Sequence, residues 1–499
     1  MKNRTTRQPE FREIIFFIAL VLCIPLNSEA LDTFHTNPRA MGMGGAFVAS
    51  VDDTSAQYYN PAAFGFMARK DNPEIPSAMD NNGMGQKVWG FDLGAAVGYK
   101  IHNDMGKYLN DLSDINIDEL SQNGIQNESD LKNLINLANN LQGLDDPGNA
   151  ISVDMSAAAG VRVKNFAIGG RGMFQASGRV IELDTTNLGI SSADLNAEIN
   201  NVTLSGNDGQ VLLFTPEQQT ILADAGLDAG AIQQLDYAAR VEGVSASEAS
   251  QMVDLLADVA DQTISGTGGD LEDNTTTVLL KGFYVHEIPL SYGYALNDGI
   301  AVGGNLKYMV GRVYATEVVV FNNDAGDILS EADREYEESS TFGVDLGVMA
   351  RIPKFNFGVV ARNINSPEFD GPTVNGNSYD SVTIDPQVTA GVAFFPFKNL
   401  KLEADMDLTS NDTALDDYQT QNLSLGLEWD VWRFLALRAG AYKNTAEDDI
   451  GWVYTLGLGV NFWGVRLDLA GAFSSDKTKV EDDEIPTEAR LAAQLSFNF

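Results

Sequence analysis

Cysteine is all but missing: Cys23 is the only one in 499 residues, and it sits in an apolar run near the N-terminus. Cleavage after that run would leave a mature chain with no disulfide and no thiol chemistry. Histidine is also scarce, with only His35, His102 and His286. None lies in a local serine or aspartate motif, and no zinc-type spacing exists, so no catalytic residue, metal ligand or cofactor site is assigned and the chain is not read as an enzyme; triads, however, assemble in space rather than in sequence. Positive charge is short as well. The 32 Lys and Arg stand against 70 Asp and Glu, a formal net charge of -38. Nucleic-acid phosphates attract basic surfaces, so nucleic acid is excluded as a partner. Beyond residue 30 no apolar run reaches the ~20 residues of a membrane-spanning helix. Disorder of the whole chain is excluded too, because hydrophobic residues are 44% and aromatics 9%.

Residues 1–30 have the layout of a secretory signal peptide. Lys2, Arg4, Arg7 and Arg12 precede the apolar run 14–24, and Ser28-Glu29-Ala30 offers small residues for cleavage, so the mature chain is expected to begin at Leu31. Leu22 stands before Cys23 where a lipoprotein signal would carry a small residue, which argues against lipidation. Export leaves the periplasm, the outer membrane or the exterior.

Period-two alternation decides among these, because it sends successive side chains to opposite faces of a strand. Ala489, Leu491, Ala493, Leu495, Phe497 and Phe499 share one face, and Glu488, Arg490, Gln494, Ser496 and Asn498 the other. Leu400, Leu402, Ala404 and Met406 alternate with Lys401, Glu403, Asp405 and Asp407 in the same way. Fourteen such segments are expected, at 88–101, 151–164, 165–183, 278–296, 299–321, 339–353, 354–365, 384–396, 398–410, 421–431, 432–446, 450–462, 463–475 and 487–499. Their connections alternate. Tight joins fall at Lys164-Asn165, Asn297-Asp298, Pro353-Lys354, 396–399, 430–433 and Trp463-Gly464, and long ones at 102–150, 184–277, 322–338, 366–383, 411–420, 445–450 and 476–486. Short periplasmic turns alternating with long extracellular loops are the pattern of outer-membrane barrels. A soluble all-β sandwich also alternates, but it gives no reason for strictly alternating loop lengths. The expected fold is therefore all-β: a 14-stranded antiparallel transmembrane β-barrel of a Gram-negative outer membrane, with an N-terminal lumenal hatch at 31–87, the barrel at 88–499 and helical extracellular insertions.

Those insertions carry helix signals. Leu131, Leu134, Ile135, Ala138 and Leu141 keep helical spacing within 102–150. Within 184–277, Thr215-Pro216-Glu217-Gln218 and Ser245-Ala246-Ser247-Glu248 read as capping boxes, the second leading into Met252, Val253, Leu255, Leu256 and Val259. The apolar stripes are expected to pack on one another over the barrel mouth, with docking of a partner helix as the alternative.

Residues 31–80 lack strand periodicity, and a polar lumen can satisfy such irregular backbone. They hold Asn37-Pro38-Arg39-Ala40, then Met41-Gly42-Met43-Gly44-Gly45, then Asp52-Asp53 and Asn60-Pro61-Ala62. This stretch resembles the start of FadL-type outer-membrane proteins, in which such a segment forms a hatch inside a 14-stranded barrel. Within that superfamily the chain resembles the conjugal-transfer TraF-type outer-membrane group, on the Met-Gly-Met-Gly-Gly wording and the helical insertions; PorV-type secretion partners share the N-terminal wording. The resemblance marks Arg39, Gly42, Gly44, Gly45, Asp52, Asp53, Asn60 and Pro61 as hatch residues and 31–80 as the candidate gate. Glycines allow close backbone packing, and Asp52 and Asp53 can cap turns or pair with lumen cations such as Arg351, Arg362, Arg438, Arg466 and Arg490.

Inward-facing charges of both signs recur, among them Asp345, Glu428, Asp430, Asp468 and Glu488, which suggests a lumen cross-linked by ion pairs and filled rather than open. The outer loops are acidic: 184–273 holds sixteen Asp and Glu against Arg240 alone. Clustered carboxylates suit Ca²⁺, although no EF-hand spacing is present and solvated acidic loops are the commoner case. Trp89, Trp429, Trp432, Trp452 and Trp463, with Phe394, Phe395 and Phe397, fall near strand ends, where interfacial girdles would put them. Phe497 and Phe499 end the last strand as its signal to the barrel-assembly machinery. Outer-membrane lipid is the surrounding partner. The first functional expectation is FadL-type passage of a hydrophobic small molecule through the hatch-gated lumen. The second is a component or partner of a conjugal-transfer or secretion apparatus docked through the insertions.

Overall fold

The computed structural model describes residues 37–67 and 88–498, apart from 116–119, 121–122, 147, 191, 193, 205–211, 268, 270–272, 320–335, 375, 417, 433, 463 and 481–482. The signal peptide, residues 31–36 with His35, residues 68–87 of the expected hatch, Trp463 and Phe499 lie outside the described residues.

Three short helices come first: α1 (Pro38–Gly42), α2 (Ala56–Tyr59) and α3 (Ala63–Met67). Fourteen antiparallel strands follow and close into one barrel. They are β1 (Trp89–His102), β2 (Ala150–Val163), β3 (Phe166–Glu182), β4 (Thr277–Ala295), β5 (Ile300–Val319), β6 (Tyr336–Ile352), β7 (Phe355–Arg362), β8 (Gln387–Phe397), β9 (Leu400–Asp407), β10 (Asn422–Asp430), β11 (Leu435–Asn444), β12 (Val453–Phe462), β13 (Val465–Ser474) and β14 (Glu488–Asn498). Each expected segment becomes a strand. Closure comes from β1 pairing with β14, in register from Gly90↔Asn498 to Lys100↔Glu488.

The wall separates chemistry by parity. On β14, Glu488, Arg490, Gln494 and Ser496 are buried toward the lumen, whereas Leu491 and Leu495 are exposed on the outside. The outer face carries a continuous belt that includes Leu93, Val97, Leu290, Tyr292, Leu306, Leu456, Leu458 and Leu469. A belt of this extent on a closed barrel is a lipid-facing surface, since closure leaves no unpaired backbone in the hydrocarbon. Among the described residues no helix is long and apolar enough to cross a membrane. Exposed Trp89, Trp429, Trp432, Phe397, Phe434 and Phe462 gather at the short-turn end. Phe395 departs from the expected girdle. It is buried with Ala49 and Ala393, on the lumen face it shares with Ala393 by simple alternation, and the register shift that follows turns Phe397 outward instead.

The wall is uneven in height. The strands β3 to β6 run 17 to 20 residues, whereas β7 to β14 run 8 to 11. A tilted crossing needs about 9–11 residues, so the long side rises past the belt on the long-loop end. There the helices α4 (Met105–Ser113), α5 (Glu128–Leu144), α6 (Leu195–Asn201), α7 (Pro216–Asp224), α8 (Ala229–Val241) and α9 (Ala246–Ser265) form a cap. Both expected capping boxes are present, with Thr215 before α7 and Ser245 before α9. The stripes pack on one another: Leu131, Leu134, Ile135 and Leu141 share one core with Met252, Val253, Leu256 and Val259.

Asp184 staples the base of this cap. Its carboxylate accepts the backbone N–H of Thr186 and of Thr275, each at 2.8 Å, and the side-chain amide of Asn187 at 3.0 Å. Burial pushes its pKa up, but these hydrogen bonds outweigh it and hold the carboxyl well below the usual aspartate range.

Candidate functional site: the plug and the lumen

Asn37 starts the plug. Its side-chain oxygen accepts the backbone N–H of Arg39 at 2.7 Å and of Ala40 at 3.4 Å, and Pro38 opens the helix. The resulting single turn aims Arg39 into the barrel interior, where it is buried. Arg39 Nη1 lies 2.5 Å from Asp52 and 2.8 Å from Asp53, and Nη2 lies 3.2 Å from Glu428 on β10. Glu428 also meets Lys401 at 3.1 Å and Arg438 at 2.6 Å. Arg438 and Arg466 converge on Asp468 at 2.9 and 3.0 Å. Four cations and four carboxylates thus form one neutralised cluster joining plug to wall, which is what burying charge requires.

Asp52 and Asp53 are expected to cap turns or to pair with lumen cations. Asp53 does cap a turn, accepting the Ser55 backbone N–H at 3.0 Å, and both carboxylates pair with Arg39 of the same plug, while Arg438 and Arg466 serve Glu428 and Asp468. Arg351 lies over the ring of Phe66 at 4.0 Å, and Arg362 donates to the carbonyls of Tyr58 and Tyr59 at 3.0 and 3.3 Å. Arg490 pairs with Asp154 at 2.9 Å and Glu488 at 2.7 Å.

Two wall carboxylates satisfy plug backbone. Asp405 accepts the N–H of Phe47 at 2.7 Å and of Val48 at 2.8 Å, and Glu403 accepts the N–H of Ala49 at 2.8 Å and the Ser50 hydroxyl. Irregular backbone inside a membrane barrel must find such partners. Asn60 does the same from the plug side, donating to the carbonyls of Val48 and Val348 at 3.2 and 3.1 Å and accepting from Ala62 N–H at 3.1 Å. That turn presses Pro61 against Gly303 of β5.

Gly42 and Gly44 earn their place by proximity. A Cβ on Gly42 would sit 2.9 Å from the Cα of Gly457 on β12, and one on Gly44 would sit 2.5 Å from the Ala441 carbonyl oxygen. Gly44 also has φ +66° and donates its N–H to Thr455 Oγ1 at 3.0 Å; Gly45 has φ +88°. What sequence reading missed is the wall's half of this contact. Gly358, Gly426, Gly440 and Gly457 face the plug backbone at similar range. The signal was available as glycines at lumen-parity positions near the middle of these strands.

Above the plug the lumen narrows to a polar pocket of 60 Å³, among Arg171, Glu287, Lys307, Asp345 and Arg362. Nearer the mouth lies a second cavity of 150 Å³. Phe283, Val313, Tyr314, Ala315 and Val382 form its apolar side, and Lys281, paired with Asp416 at 2.6 Å, its polar side. Phe497 packs on Phe91 with ring centroids 6.0 Å apart, away from the lumen.

A family model described as "F plasmid transfer operon, TraF, protein" matches residues 57–407. No curated protein matches the sequence. Among solved structures, a toluene transporter of Pseudomonas putida, TodX, is similar with 10% identity, 94% of this chain and 99% of that one covered, and a TM-score of 0.45. The toluene transporter TbuX of Ralstonia pickettii has 12% identity over 95% of this chain and 99% of its own, at 0.43. A FadL homologue of Pseudomonas aeruginosa has 11% identity over 95% and 99%, at 0.42.

Proposed function

This chain belongs to the family described by the F plasmid transfer operon TraF protein, and from that premise we propose that it admits small hydrophobic molecules at its outer mouth and passes them into a lumen gated by the plug. The observation that carries this reading is the 150 Å³ cavity on the lumen side of β4 and β5, with Phe283, Val313 and Tyr314 in its wall. A cavity of about that size has room for a benzene-sized molecule against its apolar side. Onward movement requires the plug to shift, because the charged cluster at Arg39 and the charged side chains that line the small polar pocket above it stand below the cavity. Filling the cavity with Val313→Trp is expected to abolish uptake of labelled toluene by cells carrying the barrel. Uptake unchanged in a correctly folded Val313→Trp barrel would sink the reading.

A second reading is docking to a transfer or secretion apparatus, favoured by the family match and by the independent apolar core of the acidic cap. Deleting 184–276 separates the two: loss of conjugation or secretion with uptake intact favours docking.

A further inference from the structure

His102 ends β1 on the lumen side, almost fully buried. Its Nδ1 lies 2.9 Å from Asp449 Oδ2, in the 445–450 loop, and its Nε2 lies 3.0 Å from Ser152 Oγ, on β2. The other oxygen of Asp449 accepts the Tyr418 hydroxyl at 3.0 Å, and the Tyr418 ring meets the imidazole edge-on at 4.5 Å. Lys100, also buried, stands directly opposite Ser152 across the β1–β2 ladder. The networks at Arg39 and Arg490 set carboxylates against arginine and lysine; this one sets a carboxylate, an imidazole and a hydroxyl in series. A carboxylate on Nδ1–H fixes the tautomer that leaves a lone pair on Nε2, aimed at a hydroxyl proton.

We propose that Ser152, His102 and Asp449 form an acyl-transfer site at the outer mouth of the barrel, acting on small esters. Ser152 Oγ bonds to the ester carbonyl carbon while its proton passes to His102 Nε2. The carbon–oxygen bond to the alcohol then breaks, and the alcohol leaves with the proton from His102. Water adds to the acyl group on Ser152, its proton goes to His102, and the acid departs as Ser152 recovers its own proton. Asp449 holds the imidazole and offsets its transient charge.

The site is covered at rest. Leu415 and Tyr418 of the 411–420 loop pack on Ala150, two residues from Ser152, and Ala414 accepts a hydrogen bond from Ser177, which pairs with Ser152 in β3. On the far side of Tyr418 and Asp449 lies an open cleft of 440 Å³, lined also by Asn103, Gly148 and Glu447. Substrate held in that cleft reaches Ser152 when Tyr418 moves off the imidazole. Nothing in this depends on passage through the lumen, so a sealed barrel with an ester-cleaving mouth would leave the two readings distinguishable.

The test uses the full chain, reconstituted in phosphatidylcholine vesicles and shown to be folded by its faster gel migration before boiling. Exposure to a small alkyl fluorophosphonate is expected to add one phosphonyl group per chain, mapped to Ser152 by peptide mass. Hydrolysis of 4-nitrophenyl acetate is expected to disappear in Ser152→Ala and to fall by more than about a hundredfold in Asp449→Asn. His286→Gln, whose ring lies outside the cluster, should label as the parent does. Folded parent protein that carries no adduct on Ser152, or an ester-cleavage rate equal in parent and Ser152→Ala, would overturn the proposal and leave the cluster a clasp between loops and wall.

Discussion

Arg39 Nη2 of the plug meets Glu428 Oε1 of β10 at 3.2 Å, across 389 positions of sequence. The contact fixes the plug to the side of the barrel where Lys401, Arg438 and Arg466 also converge on Glu428. Removing one partner of a buried ion pair leaves the rest uncompensated, at about 3–5 kcal/mol. Arg39→Met removes the cation that Asp52 and Asp53 share and one of the four on Glu428, so it is expected to lower the melting temperature and to raise single-channel conductance in planar bilayers. An Arg39→Met barrel as closed and as stable as the parent would mean that the plug is held by its backbone contacts alone.

Gly44 and Gly376 separate strain from collision. Both have positive φ, +66° and +85°. A Cβ on Gly376 meets nothing within 4 Å, whereas one on Gly44 meets the Ala441 and Leu425 backbone. An alanine at either position carries a backbone cost of roughly 1–2 kcal/mol. Gly44→Ala adds a clash that only movement of the plug relieves. Thermal unfolding of the two variants is expected to show a clearly larger loss for Gly44→Ala, with raised conductance in that variant only.

The Asp184 staple sets a pH dependence for the cap. Its folded pKa lies below the unfolded value of about 3.9, because the Thr186, Thr275 and Asn187 hydrogen bonds favour the charged form over the burial that opposes it. The stability it contributes is therefore present above about pH 4 and is lost as pH falls below that range toward the folded value. Amide exchange at Thr186 and Thr275, corrected for intrinsic rates, should be protected at pH 7 and less so at pH 3. In Asp184→Asn, which cannot carry the charge, protection should already be reduced at pH 7. Equal protection in both proteins at both pH values would show that the neighbouring Asn274 contacts suffice.

The barrel was legible because two periodicities agree with each other. Leu491 and Leu495 against Arg490 and Gln494 fix which face of β14 is wet, and Lys164-Asn165 or Pro353-Lys354 fix where a strand must turn. The cap helices were legible from local chemistry, since Thr215 and Ser245 satisfy backbone within three residues. Contacts set by closure were not. Nothing near Arg39 in sequence points to Glu428, and His102, Ser152 and Asp449 lie on two strands and a loop that meet only when β1 and β2 pair and the outer loops fold in. Phe395 failed for a different reason: it directly follows Phe394, so alternation alone sends it to the lumen face with Ala393, and what one strand's pattern does not contain is the register shift that turns Phe397 outward.

The outward face of β12 decides whether the belt meets lipid or water. Leu456, Leu458 and Phe462 are exposed on that face, with Phe462 at the short-turn end among the exposed aromatics and Leu458 nearer the middle of the strand. In water, arginine would be tolerated at both Leu458 and Phe462. In a bilayer, arginine costs about 2–4 kcal/mol at the midplane and about 0–1 near the interface. Leu458→Arg is therefore expected to destabilise the barrel in phosphatidylcholine vesicles by several times as much as Phe462→Arg, measured by tryptophan fluorescence during guanidinium titration. Equal small effects at the two positions would contradict a hydrocarbon boundary along β12, and with it the reading of Arg438 and Asp468 as a lumen cluster shielded from lipid by that same wall.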